Sequence, residues 1–194
     1  MRLPDRLRLP FTFDPERLAT DLHGVSSAGW INHFVPQNYD GDWSVIPLRG
    51  KAGARHPVMM IYSDPACQDF EDTPMLAACP CFRQVLGTFE APLQAVRLMR
   101  LTPGSVIKEH NDLELSFEEG TVRIHVPIVT NADVEFYLNR RRVVLEAGSA
   151  WYLRLSDPHS VANRGTSDRV HMVIDAKVND WVKDVLTSAL RELA

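Results

Sequence analysis

The residues best suited to chemistry in this chain are His110-Asn-Asp112 and, further on, His159 in Asp157-Pro-His-Ser160. In an extended chain, side chains at i and i+2 project to the same side, so His110 and Asp112 can address one metal ion. Two histidines and one aspartate leave coordination positions open, as in the facial triad of non-haem iron(II) oxygenases. Zinc hydrolases also use two nitrogens and one oxygen. A His-x-Asp triplet alone is commonplace on a surface; the distant histidine lifts the pattern above chance.

A second set of polar residues sits where apolar ones are expected. In Arg123-Ile-His-Val-Pro-Ile128 a strand period puts Arg123 and His125 on one face and Ile124, Val126 and Ile128 on the other. Arg169-Val-His-Met-Val-Ile-Asp175 repeats this, with Arg169, His171 and Val173 sharing a face. One such strand fits a solvated face, but two among apolar strands point to the polar interior of a small barrel. A buried guanidinium needs an anion, because leaving it unpaired costs several kcal/mol. Arginine reads carboxylates bidentately, so a ligand carboxylate is one candidate partner. Aspartates or glutamates of this chain are the other, and the residues alone leave both open.

The elements that must hold these groups are short strands. Leu93–Leu101, Arg123–Val129, Val134–Leu138, Arg141–Glu146, Ala150–Leu155 and Arg169–Asp175 are rich in branched and aromatic residues. Turn-formers such as Thr102-Pro-Gly104, Glu119-Gly120 and Ala147-Gly148 bound them. Spacings near a dozen residues without helical crossovers predict antiparallel sheets closed into a sandwich or barrel. Earlier in the chain, Asp14 is placed to cap a helix over Pro15–Leu22. Strands are predicted at Ser44–Leu48 and Val58–Tyr62, and a helix from Thr73-Pro74 to Leu86, ended by a left-handed cap at Gly87. Val178, Trp181, Val182, Val185, Leu186, Ala189, Leu190 and Leu193 repeat at three and four, predicting an amphipathic helix on the outside of a sheet.

Composition narrows the partners. The 194 residues carry 21 Lys and Arg against 25 Asp and Glu, a net charge of -4 that gives no support to a polyanion-binding surface. Arg140-Arg-Arg142 is the only basic run and reads as a solvated hairpin turn, with no aromatic–basic groove for nucleic acid. No apolar stretch approaches the ~20 residues a membrane span needs, and the N-terminus lacks a signal peptide's apolar region. Cys67, Cys79 and Cys81 are too few for a disulfide framework and read as buried thiols. A cytoplasmic protein without nucleic-acid or membrane partners is expected.

The run from Arg97 to Trp181 resembles the aspartyl/asparaginyl β-hydroxylase-like family of Fe(II)/2-oxoglutarate-dependent dioxygenases, especially its small bacterial members and the related proline hydroxylases. The residues that carry the resemblance are Val96–Gly104, His110-Asn-Asp112, Gly120–Asn131, Ala147–Tyr152, Pro158-His159, and Asn163 with Arg169–Asp175. Trp30–Phe34 and Gly41–Ser44 extend it upstream. The resemblance implies an all-β core forming a double-stranded β-helix, a cupin-like jelly roll, over about residues 93–176. Residues 1–92 then form a lid and support, and a C-terminal helix covers about 178–193, all in a single domain. It implies iron(II) on His110, Asp112 and His159, and 2-oxoglutarate held by Arg169, with Arg123 and His125 beside it. The animal protein-modifying members lack the acidic ligand; Asp112 places this chain with those that keep a full triad.

The resemblance therefore implies a hydroxylase that uses dioxygen and 2-oxoglutarate on an unactivated C–H bond of an amino acid, small metabolite or peptide residue, releasing succinate and CO2. A non-catalytic cupin-like metal-binding or sensor domain and a zinc-dependent hydrolase or isomerase are the competing readings. Asn111, Trp151, Asn163 and His171 are candidates for a supporting layer. Arg97, rather than Arg100 of opposite parity, is the candidate to face the pocket. Trp30, His33, Tyr39 and Trp43 read either as a lid or substrate wall, or as an apolar plug of the mouth.

Overall fold

The computed structural model describes residues 3–27, 29–62 and 66–192. Its core is two antiparallel sheets. The larger has eight strands. In spatial order they are β1 (Arg6–Thr12), β11 (Ser149–Leu153), β8 (Thr121–Val129), β13 (Arg169–Lys177), β6 (Leu93–Leu101), β4 (Trp43–Lys51) and β2 (Ile31–Asn32), with β5 (Phe70–Asp72) on β4. The smaller sheet runs β10 (Arg141–Val143), β9 (Val134–Leu138), β12 (His159–Asn163), β7 (Val106–His110) and β3 (Tyr39–Asp40). No strand pairing joins the two sheets among the described residues, so the arrangement is a sandwich and not a closed barrel.

The period of two decides which residues go where. On the outer face of the large sheet, Ile124, Val126, Ile128, Val170, Met172 and Ile174 join one apolar cluster. Helices α1 (Pro15–Ser26), α4 (Pro80–Gly87) and α5 (Asp180–Arg191) complete it through Leu18, Phe82, Val182 and Leu186. Each fully buried side chain of this size contributes about 1.5–3 kcal/mol. Between the sheets, Val45, Leu101, Phe136, Leu138, Val161 and Val173 form a second cluster that walls the polar site.

Local signals set the helix starts. Asp14 Oδ1 accepts from the Glu16 amide at 2.9 Å and caps α1. Asn179 Oδ1 accepts from the Val182 amide at 3.0 Å and caps α5. Asn139 and Arg140, with φ of 51° and 61°, make the two-residue turn between β9 and β10, where the basic run sits. Gly148 is needed for close approach, since a Cβ there would lie 2.1 Å from the Phe13 carbonyl oxygen.

Several expectations give way. Val58–Tyr62 is not a strand but the short helix α2 (Pro57–Ile61), started by Pro57; five apolar residues carry no decisive period. The helix predicted over Thr73–Leu86 is two, α3 (Pro74–Ala77) and α4, because Pro80 cannot continue a helix but suits the first turn of a new one. Gly87 ends α4 without a left-handed residue, the cap Thr88 being right-handed helical. The predicted strand from Arg141 stops at Val143. Strand β1 was not predicted, although Leu7 and Leu9 alternate and are buried. All three cysteines are free and buried, and burial pushes the Cys79 thiol up to about 11. No described helix is long and apolar enough to cross a membrane.

Candidate active site

Strand pairing brings the two histidines together: His159, first residue of β12, stands opposite His110, last residue of β7. Just past β7, the Asp112 amide donates to the Leu155 carbonyl at 2.8 Å, which fixes the carboxylate beside both rings. One ligand atom from each of His110, Asp112 and His159 lies within 4.8 Å of the others. Nε2 of His110 and of His159 are 3.6 and 3.9 Å from Asp112 oxygens.

The proton positions fit a metal. His110 Nδ1 meets the Lys108 carbonyl at 2.8 Å, and His159 Nδ1 meets the Asp157 carbonyl at 3.0 Å. A carbonyl only accepts, so both Nδ1 atoms donate, and in the neutral rings each Nε2 lone pair is left for a metal; without one, Nε2 of protonated His110 can donate to Asp112. Such second hydrogen bonds are what orient metal-bound imidazoles. Burial works against the charge of Asp112, but Arg123 and the histidines outweigh it and hold the carboxyl well below its usual range. His110 is raised: burial opposes protonation, and the Asp112 and Lys108 hydrogen bonds overcome it.

The arginines divide into two kinds. Arg123 on β8 stands opposite Asp175 on β13, and its Nε and Nη2 donate to the Asp175 carboxylate at 2.6 and 2.9 Å. Its Nη1 donates to Asp112 Oδ2 at 2.6 Å. Arg97 on β6 shares Asp175 through Nη2 and donates through Nη1 to the Ile61 carbonyl at 3.2 Å. Asp175 is 1% exposed; burial would raise its pKa, and Arg123 and Arg97 keep it lowered. Arg169 differs. It is 2% exposed, its only polar partner among the described residues is His171 Nδ1 at 2.8 Å, and no carboxylate pairs with it. Its Nε finds no acceptor, and burial pushes its pKa down to about 9.

The triad and Arg169 line one cavity of about 330 Å³. Its apolar lining includes Phe136, Val161 and Val173, with the Phe136 ring centroid 5.9 Å from Arg169 Cζ, and Phe34, Trp43 and Tyr62, of which Phe34 and Tyr62 meet edge to face. His33 stacks on Trp43 with ring centroids 3.6 Å apart and 7° between planes. Burial brings His33 down to about 4, so the stack is neutral. Trp43 Nε1 is buried and has no acceptor among the described residues.

The family model for aspartyl/asparaginyl β-hydroxylase matches residues 17–178. The chain belongs to the aspartyl/asparaginyl β-hydroxylase family. Among curated proteins, L-proline cis-4-hydroxylase of Rhizobium meliloti (strain 1021) is 25% identical over 177 residues, covering 90% of this chain and 61% of the relative. The chain thus spans less than two thirds of that relative's length. A prolyl-4-hydroxylase from Pseudomonas putida matches with a TM-score of 0.56 at 10% identity, over 90% of this chain and 93% of that one. HygX from Streptomyces hygroscopicus, solved with nickel and 2-oxoglutarate bound, matches with a TM-score of 0.54 at 13% identity, over 91% and 84%. These likenesses show that the hydroxylase family member shares its fold with both.

Of the residues singled out in the sequence, His110, Asn111, Asp112, His159, Arg97, Arg123, His125, Arg169, His33 and Trp43 line the cavity. His171 stands one layer behind, against Arg169 and His125. Four candidates lie outside the lining. Tyr39 packs edge-on against Trp43 and donates through its hydroxyl to the His33 carbonyl at 3.3 Å, behind the His33–Trp43 stack. Trp30 packs on the outer cluster under the Arg100 guanidinium, 4.5 Å from its ring centroid. Asn163 spends its amide nitrogen on the Leu101 and Ser167 carbonyls, bracing a turn. Trp151 donates to Ser149 Oγ at 2.9 Å and packs beside the inner cluster. Asp175 was missed, yet its signal was present: it shares the parity of Arg169 and His171 on one strand.

Proposed function

We propose that this chain is an Fe(II)- and 2-oxoglutarate-dependent dioxygenase that hydroxylates an unactivated C–H bond of an amino acid or similar small molecule, releasing succinate and CO2. The observation that carries the reading is Arg169: a buried cation with no carboxylate partner among the described residues, in the cavity lined also by two histidines and a carboxylate placed to hold a metal. A site that held only a structural metal would have no use for such a group.

The residues fit the implied metal, since two lone pairs and a carboxylate converge and both imidazoles are held by carbonyls on their far side. His110, Asp112 and His159 would hold it. Iron(II) in a triad with open positions supplies dioxygen activation coupled to oxidative decarboxylation of the keto acid. Arg123 keeps Asp112 ionised and oriented. Arg169 takes the distal carboxylate of 2-oxoglutarate in a charge-assisted pair. The apolar side chains around it keep water out and strengthen that pair.

The charge balance supports a substrate that carries a carboxylate. Arg97 and Arg123 share Asp175, so once Asp112 serves a metal the two cations face one dedicated anion. A substrate carboxylate beside them restores balance, and the likeness to an L-proline hydroxylase agrees with an amino acid there. The aromatic wall of Phe34, Trp43 and Tyr62 would pack on its apolar part. The scaffold is read as a double-stranded β-helix in a single domain, with residues 1–92 supplying the support and the wall.

The test is succinate formation from 2-oxoglutarate by the iron-loaded protein, with L-proline and other amino acids, in aerated and anaerobic buffer. Succinate that requires iron, dioxygen and an amino acid is the expected result. Activity with zinc alone, or no turnover of 2-oxoglutarate under any condition, would overturn the reading.

A further inference from the structure

Arg169 and the two histidines beside it form a chain whose proton positions follow from chemistry. Arg169 Nη2 lies 2.8 Å from His171 Nδ1. A guanidinium nitrogen only donates, so His171 Nδ1 accepts and that ring carries its proton on Nε2. His125 Nδ1 lies 3.3 Å from the same nitrogen. Two lone pairs facing one another there would repel, so His125 carries its proton on Nδ1 and donates. Burial, followed by the charge of Arg169, keeps both imidazoles neutral.

We infer that His171 is a positioning residue for the carboxylate clamp: as the neutral Nε2–H tautomer it takes one N–H of Arg169, fixes the rotation of the guanidinium, and leaves the rest of the fork for a ligand. This rests on 2-oxoglutarate being the cosubstrate. The residue type suits the task. A carboxylate at this place would pair with Arg169 and cancel the charge the ligand needs, as Asp175 does for Arg123. An apolar residue would leave the fork free to turn. A neutral acceptor orients the cation without quenching it. The Phe136 ring, 5.9 Å from Arg169 Cζ, adds a second restraint of the same kind, attractive and uncharged. His125 then holds His171 in its tautomer.

Two measurements test this. Long-range proton–nitrogen correlation spectra of the histidine-labelled protein should show His171 protonated on Nε2 and His125 on Nδ1; the opposite tautomer at His171 overturns the inference. Binding of 2-oxoglutarate and of 2-oxovalerate, which lacks the distal carboxylate, is then measured calorimetrically on the anaerobic iron(II) protein. His171→Leu should weaken 2-oxoglutarate roughly tenfold or more, the effect of losing one hydrogen bond to a charged group, and leave 2-oxovalerate within about twofold. His171→Asn, whose amide oxygen replaces Nδ1, should recover most of the loss, whereas His171→Gln, whose oxygen sits nearer Nε2, should not. The Asn and Gln pair decides the matter if the Leu variant does not fold. Equal weakening of both keto acids, or Asn no better than Gln, overturns the positioning role. A wild-type protein that does not prefer 2-oxoglutarate over 2-oxovalerate overturns the cosubstrate reading instead, and the spectra still judge the tautomers.

Discussion

Arg169 is buried with no carboxylate partner among the described residues, so in the ligand-free protein its charge works against folding. Replacing it with Met keeps an unbranched apolar stem and removes the charge. Burial alone brings its pKa down to about 9, which corresponds to a solvation penalty on the order of several kcal/mol. Against this, His171 Nδ1 loses its donor, worth about 1 kcal/mol. The ligand-free Arg169→Met protein should therefore gain about 2–4 kcal/mol of stability. For a chain of this size each kcal/mol moves the melting temperature by about 2–4 °C. The same change removes the cation proposed to pair with the distal carboxylate of 2-oxoglutarate. Affinity for 2-oxoglutarate should fall by roughly two to three orders of magnitude, about 3–4 kcal/mol. Differential scanning calorimetry of the ligand-free protein and isothermal titration of the iron-loaded one read the two effects separately. A variant that is less stable than wild type, or that binds 2-oxoglutarate within about tenfold of it, refutes the reasoning.

Asp112→Asn nearly preserves volume and removes the charge; iron content after dialysis should fall roughly tenfold or more, and full retention would make Asp112 an ordinary loop residue. Asp175→Asn leaves Arg97 and Arg123 short of an anion and should cost about 3–5 kcal/mol of stability, read from urea midpoints; a loss under 1 kcal/mol would mean that the arginines find other partners. His125 and His171 are held well below their usual range by burial. As pH falls below about 6.5 the unfolded chain takes up protons that the native state refuses. Stability is thus present at neutral pH and declines on acidification, by up to about 1.4 kcal/mol per pH unit for each ring. Urea melts of the metal-free protein at pH 7, 6 and 5 check this, and a flat profile would show that the two rings titrate alike in the folded and unfolded chain.

Much of this protein follows from properties of neighbouring residues. The caps Asp14 and Asn179 start their helices because a short polar side chain reaches amides two or three residues ahead. The alternation in β8 and β13 sends Arg123, His125, Arg169 and His171 inward and Ile124, Val126, Met172 and Ile174 outward, because a strand turns successive side chains to opposite faces. Leu93–Leu101 and Val134–Leu138 are strands with the bounds their composition predicts. Whether the buried arginines meet carboxylates of this chain or await a ligand's was not decidable in this way. The structure divides them: Asp175 takes Arg123 and Arg97, and no described carboxylate takes Arg169. That division depends on register, which places Asp175 opposite Arg123 and His159 opposite His110. Register is a relation between strands far apart in sequence, set by turns, bulges and packing of the whole sheet. The same holds for Trp30, which was a candidate pocket wall but packs on the outer cluster, since a side chain's type does not say what it will meet across the fold. Alternation is local and was legible; partnership is tertiary, and here it separates an arginine paired with a carboxylate from one that meets none among the described residues.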